Sequence, residues 1–338
     1  MKYLFYILAI SSIIFLGCAK ANEPLAIEDI KIMSVENVFE TVGIPQEMAL
    51  SEDYLFIAED QAGFSIFDKK STDLIVRKDS HSAYDEFSNI RQIGFDSEEN
   101  ILFIFDRYGP PTIYSFDITD PKEPIFKERI TAGDIQSTYY MSISNNEDGS
   151  IFLGITTTNS AFRYGTIHKP YVNMDLTTFH MPNAVKKFDI VDNYAYIAGS
   201  QRGLYIFDME SRTLLSELNL TGDALDISVK GDYAYIVAKQ EGLIVVDISD
   251  KSNPVWDGKT YPTSGWAQSI DLDGDYLVVG SGGGGVYLYD IKNTPEAPKL
   301  LDRLSSNEVD YTLLVAIEGE TIYAAGRYKG VSKIKIDR

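Results

Sequence analysis

Short apolar runs alternate with polar turns along most of the chain, and the runs come in pairs. The clearest pair lies at residues 231–254, where the runs YAYIVA and GLIVVD flank the polar turn KQE. Tyr, Ile and Val suit a pleated, half-buried surface, and the turn ends at Gly242, a residue type common in tight turns. The pattern therefore predicts a β-hairpin.

The same hairpin recurs along the chain, and most copies end in an aspartate. Successive ends lie 39–49 residues apart, except for one gap of 91 residues, into which a degenerate copy starting at Ile151 fits. The aspartates that end the other copies are Asp68, Asp117, Asp208, Asp247, Asp290 and Asp337. Seven units of this period, built from short strands, predict an all-β fold: a seven-bladed β-propeller of four-stranded blades.

Each unit has room for four strands, but the last unit lacks its fourth. In the unit that starts at Ala224, an inner strand of alternating apolar and polar residues precedes the hairpin, and an outer strand follows from Pro254. The last unit ends at Arg338, directly after its third strand, whereas residues 30–42 form a strand-like segment without a partner. We predict that this segment supplies the missing outer strand and closes the ring, which leaves fewer exposed sheet edges.

The N-terminus predicts export and lipidation. Residues 1–17 combine Lys2 with an apolar run that is too short to span a bilayer, as in a secretory signal peptide. The following stretch, FLGC at 15–18, resembles the lipobox of bacterial lipoproteins, with Phe15 where Leu is usual. In that motif the cysteine, here Cys18, becomes the lipidated N-terminus. The alternative is a stray cysteine within an ordinary signal peptide.

Removal of the signal peptide leaves two further segments. Residues 18–29 are small and polar and form a tether, and residues 30–338 form a single propeller domain without an internal linker. We therefore expect a membrane-anchored lipoprotein of the bacterial cell envelope, at the outer membrane or the cell surface. Its contact with the membrane is through the N-terminal lipid only.

The chain is strongly acidic. It has 30 Lys and Arg against 50 Asp and Glu, a formal net charge of −20, and loss of Lys2 with the signal peptide makes it −21. This charge argues against binding to nucleic acid or anionic lipid headgroups and permits cations or basic partners, although solubility is the simpler explanation. Because Cys18 is the one cysteine, sheet packing must stabilise the fold without disulfides, and we expect a monomer.

The repeats resemble those of the LVIVD family, a group of bacterial and archaeal β-propellers. GLIVVDISDKSNP at 242–254 is closely similar to the family signature, and residues 203–210 and 285–298 are also similar. The resemblance covers most of residues 44–338 and is weakest in the third unit. It implies a propeller at the cell surface and no shared reaction. The recurring Gly-His and Trp-Asp pairs typical of WD40 repeats are missing: the sequence has no Gly-His pair and a single Trp-Asp pair, at 256–257.

Several motifs suggest chemistry, but a structural interpretation fits each of them better. DLDGD at 271–275 lacks the later Glu of a calcium loop and sits where other units have a turn. The glycine run at 281–285 leads into a strand, so it predicts a flexible hairpin tip and not a phosphate cradle. The repeated aspartates at strand ends can accept hydrogen bonds from the N–H groups of the following turns. The three histidines, His81, His168 and His180, are not spaced as metal ligands are. We therefore predict no catalytic residue, metal or cofactor.

Six Arg, Tyr and Trp residues lie on turns that a propeller places on one face. These turns join the second and third strands of a unit or lead into an inner strand. The six residues are Arg107, Tyr108, Arg202, Trp266, Arg327 and Tyr328. Because these residue types most often anchor interfaces, they predict a binding or scaffold module for a protein or glycan on the cell envelope.

The alternative is an exported enzyme of the hydrolase or lactonase type with its site at the central channel. The register of the inner strands directs four charged side chains toward that channel, those of Glu47, Arg91, Lys187 and Asp226. Mixed charges suit acid–base chemistry, but they can equally be solvated or paired with one another. The sequence leaves both functions open.

Overall fold

The computed structural model describes residues 31–79, 89–106, 112–131, 138–145, 150–168 and 173–337. They form seven four-stranded antiparallel sheets arranged as the blades of a β-propeller, which confirms the predicted fold. Within these residues, no helix is long and apolar enough to cross a membrane.

The strands follow one another from the inside of each blade to the outside. The first strand, β1 (Met33–Phe39), belongs to the last blade. Blade 1 contains β2 (Glu47–Leu50), β3 (Tyr54–Ala58), β4 (Phe64–Asp68) and β5 (Leu74–Lys78). Blade 2 contains β6 (Ile90–Asp96), β7 (Ile101–Asp106), β8 (Thr112–Asp117) and β9 (Ile125–Thr131). Blade 3 contains β10 (Thr138–Asn145), β11 (Ile151–Thr157), β12 (Ala161–His168) and β13 (Asn173–His180).

The second half of the ring has the same order. Blade 4 contains β14 (Phe188–Val191), β15 (Tyr194–Ala198), β16 (Leu204–Asp208) and β17 (Thr213–Leu218). Blade 5 contains β18 (Asp226–Lys230), β19 (Tyr233–Val237), β20 (Leu243–Asp247) and β21 (Thr260–Tyr261). Blade 6 contains β22 (Ser269–Asp273), β23 (Tyr276–Gly280), β24 (Val286–Asp290) and β25 (Lys299–Leu304). A short helix, α1 (Ser306–Val309), leads into blade 7, which contains β26 (Thr312–Glu318), β27 (Thr321–Gly326) and β28 (Val331–Ile336).

The N-terminal strand closes the ring, as predicted. Strand β1 pairs antiparallel with β28, from Met33 opposite Ile336 to Phe39 opposite Val331. The Phe39 side chain is fully buried, and its ring centroid lies 5.6 Å from that of Phe67 in blade 1. One strand thus hydrogen-bonds to the last blade and packs against the first.

The core lies between neighbouring blades. Tyr235 and Leu243 of blade 5, for example, pack with Ile270, Leu277 and Tyr287 of blade 6. The two middle strands of a blade are covered on both faces, and this explains why their sequences are continuous apolar runs rather than alternating ones.

The outer strand of blade 5 is shorter than predicted. Strand β21 has only two residues, although Val255 also forms an isolated bridge with Asp247. Between these pairings, Trp256 Nε1 donates a hydrogen bond to Lys259 O at 2.8 Å. This contact spans a bend at Gly258, whose φ is 84°, and the pairing that starts near Pro254 is interrupted there.

The repeated aspartates stabilise the turns that follow the third strands. Asp208 Oδ1 accepts hydrogen bonds from the N–H groups of Glu210 and Ser211, at 2.9 and 3.0 Å. These bonds favour the carboxylate and lower the pKa of Asp208. Equivalent bonds are made by Asp68, Asp117, Asp247 and Asp290. The predicted structural role is confirmed for these five residues, whereas Asp337 pairs with Lys335 at 3.0 Å.

Candidate functional site

The first strands of the blades line a central channel that opens on one face of the ring into a wider space. We call this face the tip face, because it carries the turns between second and third strands and the connections into the inner strands. The channel encloses about 470 Å³ and the space above it, the mouth cavity, about 410 Å³. The mouth cavity is lined by Ile44, Pro45, Gln46, Glu47, Arg91, Gln92, Tyr139, Lys187, Leu225, Gln268, Leu313, Leu314 and Arg327.

Three of the four predicted channel residues meet in one charged cluster. Lys187 Nζ lies 3.2 Å from Glu47 Oε2 and 3.5 Å from Asp226 Oδ2. It also lies 4.8 Å from the centroid of the Tyr140 ring. Burial opposes the charge on Lys187, but the two carboxylates outweigh burial and hold its pKa well above the ordinary value.

The fourth predicted channel residue, Arg91, lies higher, in the mouth cavity. Its Nε donates to Asn89 Oδ1 at 2.8 Å, and its guanidinium also donates to Gln46 Oε1. Its Nε also lies 3.8 Å from the Asp60 carboxylate. The guanidinium is therefore held in place by neutral groups, with only a loose ion pair to Asp60.

Carboxylates of the inner strands link neighbouring blades. Asp189, Asp226 and Asp271 each accept a hydrogen bond from a backbone N–H group on the inner strand of the next blade. The donors are Val229 at 2.7 Å, Ile270 at 3.3 Å and Ile317 at 2.8 Å. An inner strand has a free edge toward the channel, and these carboxylates satisfy donors along it. The three aspartates thus have a structural role that the sequence did not reveal.

Burial acts on the ionisation of these carboxyl groups. It raises the pKa of Asp226 to about 6, against the opposing effect of Lys187, and the pKa of Asp271 to about 7, against two hydrogen bonds from backbone N–H groups. It also raises the pKa of Asp189. Keeping these buried carboxylates ionised at neutral pH therefore costs free energy. The positive charge of Lys187 offsets part of that cost.

The structure places four of the six predicted interface residues on the tip face. Trp266 is 55% exposed and Tyr328 is 77% exposed. The Arg202 guanidinium lies 3.7 Å from Glu217, and that of Arg327 lies 5.7 Å from the ring centroid of Tyr328. The remaining two, Arg107 and Tyr108, lie outside the described residues.

The turn that carries Arg327 and Tyr328 is fixed by one acidic residue. Asp310 Oδ2 accepts hydrogen bonds from the N–H groups of Tyr328 and Lys329, at 2.5 and 2.8 Å. Asp310 itself has a φ of 73°, a conformation that costs free energy for a residue with a side chain. Arg327 and Tyr328 are thus presented on a held turn rather than on a free loop.

Two further tip-face residues were not predicted. Lys186 Nζ lies 4.2 Å above the ring centroid of Tyr139, which lines the mouth cavity. Burial lowers the pKa of Lys186, and Lys239 acts in the same direction while Asp223 opposes it. The contact joins blade 4 to blade 3, so no periodicity within a single repeat could indicate it.

The glycine run and the acidic turn both have structural roles. The run at 281–285 is a hairpin tip, as predicted, but it is packed: a Cβ on Gly284 would lie 1.6 Å from Ser264 O. In DLDGD at 271–275 the first three residues end β22, and the predicted turn into β23 is made by Gly274 and Asp275. Asp275 there pairs with Lys292 at 3.3 Å. Among the residues in the described ranges, no group of three or more His, Cys, Asp and Glu could hold a metal ion.

Solved structures show the same fold at low sequence identity. The crystal structure of the RRP9 WD40 repeats matches with a TM-score of 0.71 at 13% identity, covering 94% of this chain and 100% of that one. The structure of U3-55K matches with a TM-score of 0.70 at 13% identity, covering 90% and 98%. The computationally designed Ika8 protein matches with a TM-score of 0.65 at 11% identity, covering 88% and 98%. These likenesses show the propeller fold alone.

The sequence itself matches one family of repeats. No curated protein matches it significantly. The model of the LVIVD repeat matches three stretches, residues 42–68, 185–218 and 221–260. They fall in blades 1, 4 and 5, and each includes the apolar hairpin formed by the second and third strands of its blade. In these three stretches the chain is similar to LVIVD repeats.

Proposed function

We propose that this protein is an exported, lipid-anchored binding module whose tip face recognises a protein or glycan of the cell envelope. The fold supports a binding or scaffold role, because a propeller presents many turns from one rigid ring. The signal-like residues 1–17 and Cys18 support export and lipid attachment, although both lie outside the described residues.

One observation carries the proposal. Of the aromatic side chains in the described ranges, Trp266 and Tyr328 are the two large ones that stand well exposed, and both are on the tip face. Exposing such side chains to water is unfavourable, and Trp, Tyr and Arg are the types that dominate binding energies at interfaces. A surface that holds both rings and Arg327 on ordered turns suits a partner that covers them.

The two faces of the ring also differ in charge. The six repeated aspartates lie at the opposite face, where the third strands end, together with turn carboxylates such as those of Asp273 and Asp275. The tip face carries Lys186, Lys239 and Arg327 beside its aromatic rings. The net acidity thus lies largely away from the face that we assign to binding, where it serves solubility.

Capture from native envelopes tests the binding face. We expect the purified full-length protein to retain a partner that a triple variant, Arg202→Ala, Trp266→Ala and Tyr328→Ala, loses, because truncating such anchors costs about 2 kcal/mol or more each. The matched control, Lys70→Ala with Lys292→Ala, removes charge from the opposite face and should retain that partner. Identical captured proteins and glycans from all three samples would rule out the tip face.

Lipid attachment has its own test. Replacing Cys18 by Ala removes the thiol on which a lipid would be placed, so the variant should leave the membrane fraction and lose incorporation of labelled fatty acid. The described strands begin at Met33, so we expect the thermal stability of the released protein to be unchanged. If the variant stays in the membrane fraction with the same label, the anchor is not at Cys18.

A further inference from the structure

Two arginines lie on the wall of the mouth cavity. The charged side chains that line this cavity are those of Glu47, Arg91, Lys187 and Arg327. Lys187 is paired with the carboxylates of Glu47 and Asp226, at 3.2 and 3.5 Å, so it adds no unbalanced charge. The two guanidiniums therefore leave this wall with an excess of positive charge, on a chain whose net charge is −20.

The two guanidiniums come from the blades on either side of blade 1. Arg91 belongs to β6 of blade 2, and Arg327 to the turn between β27 and β28 of blade 7. The entry into blade 1 runs between them, and its residues Ile44, Pro45 and Gln46 line the same cavity. Arg91 contacts this entry directly, because its guanidinium donates a hydrogen bond to Gln46 Oε1. One ligand that lies over the entry can therefore reach both arginines.

Both guanidiniums keep N–H donors for a ligand. Among the described residues, the hydrogen bonds of Arg91 use Nε and Nη1 and go to neutral side chains, so the Nη2 group is available. The Asp60 carboxylate lies on the other side of this guanidinium, 3.8 Å from Nε. Arg327 lies 5.7 Å from the ring centroid of Tyr328, and no carboxylate in the described ranges forms an ion pair with it. Carboxylates are the groups that match such N–H donors.

Much of the remaining wall is apolar. The apolar lining residues come from the entries into blades 1 and 5 and from β26, and they are Ile44, Pro45, Leu225, Leu313 and Leu314. Apolar ligand atoms that cover them leave water, which favours binding. The cavity volume of about 410 Å³ falls within the roughly 300–1,000 Å³ typical of small-ligand sites.

We propose that the mouth cavity binds a carboxylate joined to an apolar group, as in a short branched fatty acid or a peptide chain that ends in leucine. The carboxylate lies between Arg91 and Arg327, and the apolar group lies against Leu313 and Leu314. Such a ligand balances the excess charge and covers the apolar wall at once, which a sugar or an inorganic anion does not. This inference goes beyond the proposed function, because it concerns the cavity and not the exposed anchors of the tip face.

Ligand-observed NMR titrations of the purified full-length protein in a neutral detergent test this assignment. The probes are acetate, butanoate, 4-methylpentanoate and its amide, and an acetylated tripeptide of two glycines and a C-terminal leucine, with its terminus free or amidated. We expect 4-methylpentanoate to bind more tightly than its amide, and more weakly as salt is raised. From acetate to 4-methylpentanoate, the affinity should rise by about fourfold for each buried methylene.

Two variants test the arginines. Arg327→Gln and Arg91→Gln should each lower the affinity for 4-methylpentanoate by about tenfold and leave that for its amide unchanged, as expected for a lost charge-assisted hydrogen bond. The matched control is Arg212→Gln, in an exposed turn on the opposite face, which should bind like the parent. Equal melting temperatures show that each variant is folded, and because Arg327 is exposed, its variant decides the matter if Arg91→Gln does not fold.

Three results would each overturn the inference: an acid that binds no more tightly than its amide, an affinity unaffected by Arg327→Gln, or no gain from acetate to 4-methylpentanoate. The peptide distinguishes the two sources of the ligand. Tighter binding of the free-terminus peptide than of 4-methylpentanoate identifies the C-terminus of a protein, and weaker binding identifies a small free acid. Capture that is sensitive to Trp266 and Tyr328 would survive a negative result, since it depends on the exposed anchors and not on this cavity.

Discussion

Deleting residues 19–42 should unfold the whole domain or lower its melting temperature steeply, whereas deleting residues 19–28 should have little effect. The longer deletion removes β1, so β28 loses one of its two hydrogen-bonded neighbours and keeps only β27. It also removes the buried side chains of Met33 and Phe39. Losing two such side chains alone costs about 5–10 kcal/mol, comparable with the roughly 5–15 kcal/mol that stabilises a typical domain.

Two further contacts would be lost with this strand. Asp302 Oδ2 in blade 6 accepts hydrogen bonds from the N–H groups of Ile32 and Met33, at 2.8 and 2.7 Å. Without β1, the Asp302 carboxylate is left buried without these donors, and the edge of β28 is open to pairing with other chains. We therefore expect aggregation on heating as well as a lower melting temperature.

Thermal melts of both truncations beside the untruncated protein decide the matter. The shorter deletion removes only residues 19–28, which precede the described residues, so it is the control for a deletion that starts at the same point and spares β1. If the two truncations melt at the same temperature, β1 contributes nothing to closure, and the pairing with β28 does not stabilise the ring.

Closure and blade count could be predicted because they depend on patterns within the chain. Each hairpin repeats the same apolar runs and, in six copies, the same terminal aspartate, so the period was visible without any knowledge of contacts. The unpaired segment at 30–42 and the missing fourth strand before Arg338 complemented each other in the same way. The extent of β21 could not be predicted, because the interruption at 256–259 combines a bend at Gly258 with a side-chain contact from Trp256 to Lys259 O.

The candidate site was predictable only in part. Alternation along the inner strands indicated that Glu47, Lys187 and Asp226 point toward the channel, but it could not show that Lys187 sits between the two carboxylates. Contacts that cross from one blade to the next, such as that of Lys186 on Tyr139, depend on how adjacent sheets are rotated. Repeat periodicity carries no information on that rotation.

Replacing Lys187 by Met should destabilise the domain by about 3–5 kcal/mol at pH 8, the cost of leaving buried charges without a partner. Glu47 and Asp226 would then face each other in the channel with no cation between them, and Asp226 is only 4% exposed. Met fills a similar volume, so the loss reflects charge rather than packing. Chemical denaturation of the variant and the parent measures the difference in the free energy of unfolding.

The sign of the pH dependence distinguishes this cause from a packing defect. Burial already raises the pKa of Asp226 to about 6 with Lys187 present, and removing that cation raises it further. A folded-state pKa above the unfolded value means that the folded variant binds more protons, so its stability is lost as pH rises through that pKa. The destabilisation should therefore be smaller at pH 5 than at pH 8.

A second substitution provides the control. In Lys187→Met with Glu47→Gln, one carboxylate is replaced by a neutral amide. Glu47 Oε1 can keep its bond to Met48 N, at 3.2 Å, because the amide oxygen takes its place. The amide nitrogen then replaces Oε2, whose ion-pair partner, Lys187, is already missing from this variant. The double variant should regain part of the lost stability at pH 8 and show a weaker pH dependence. An equal loss at both pH values, with no recovery in the double variant, would show that Lys187 acts through packing and that the charge cluster is not what holds the channel wall together.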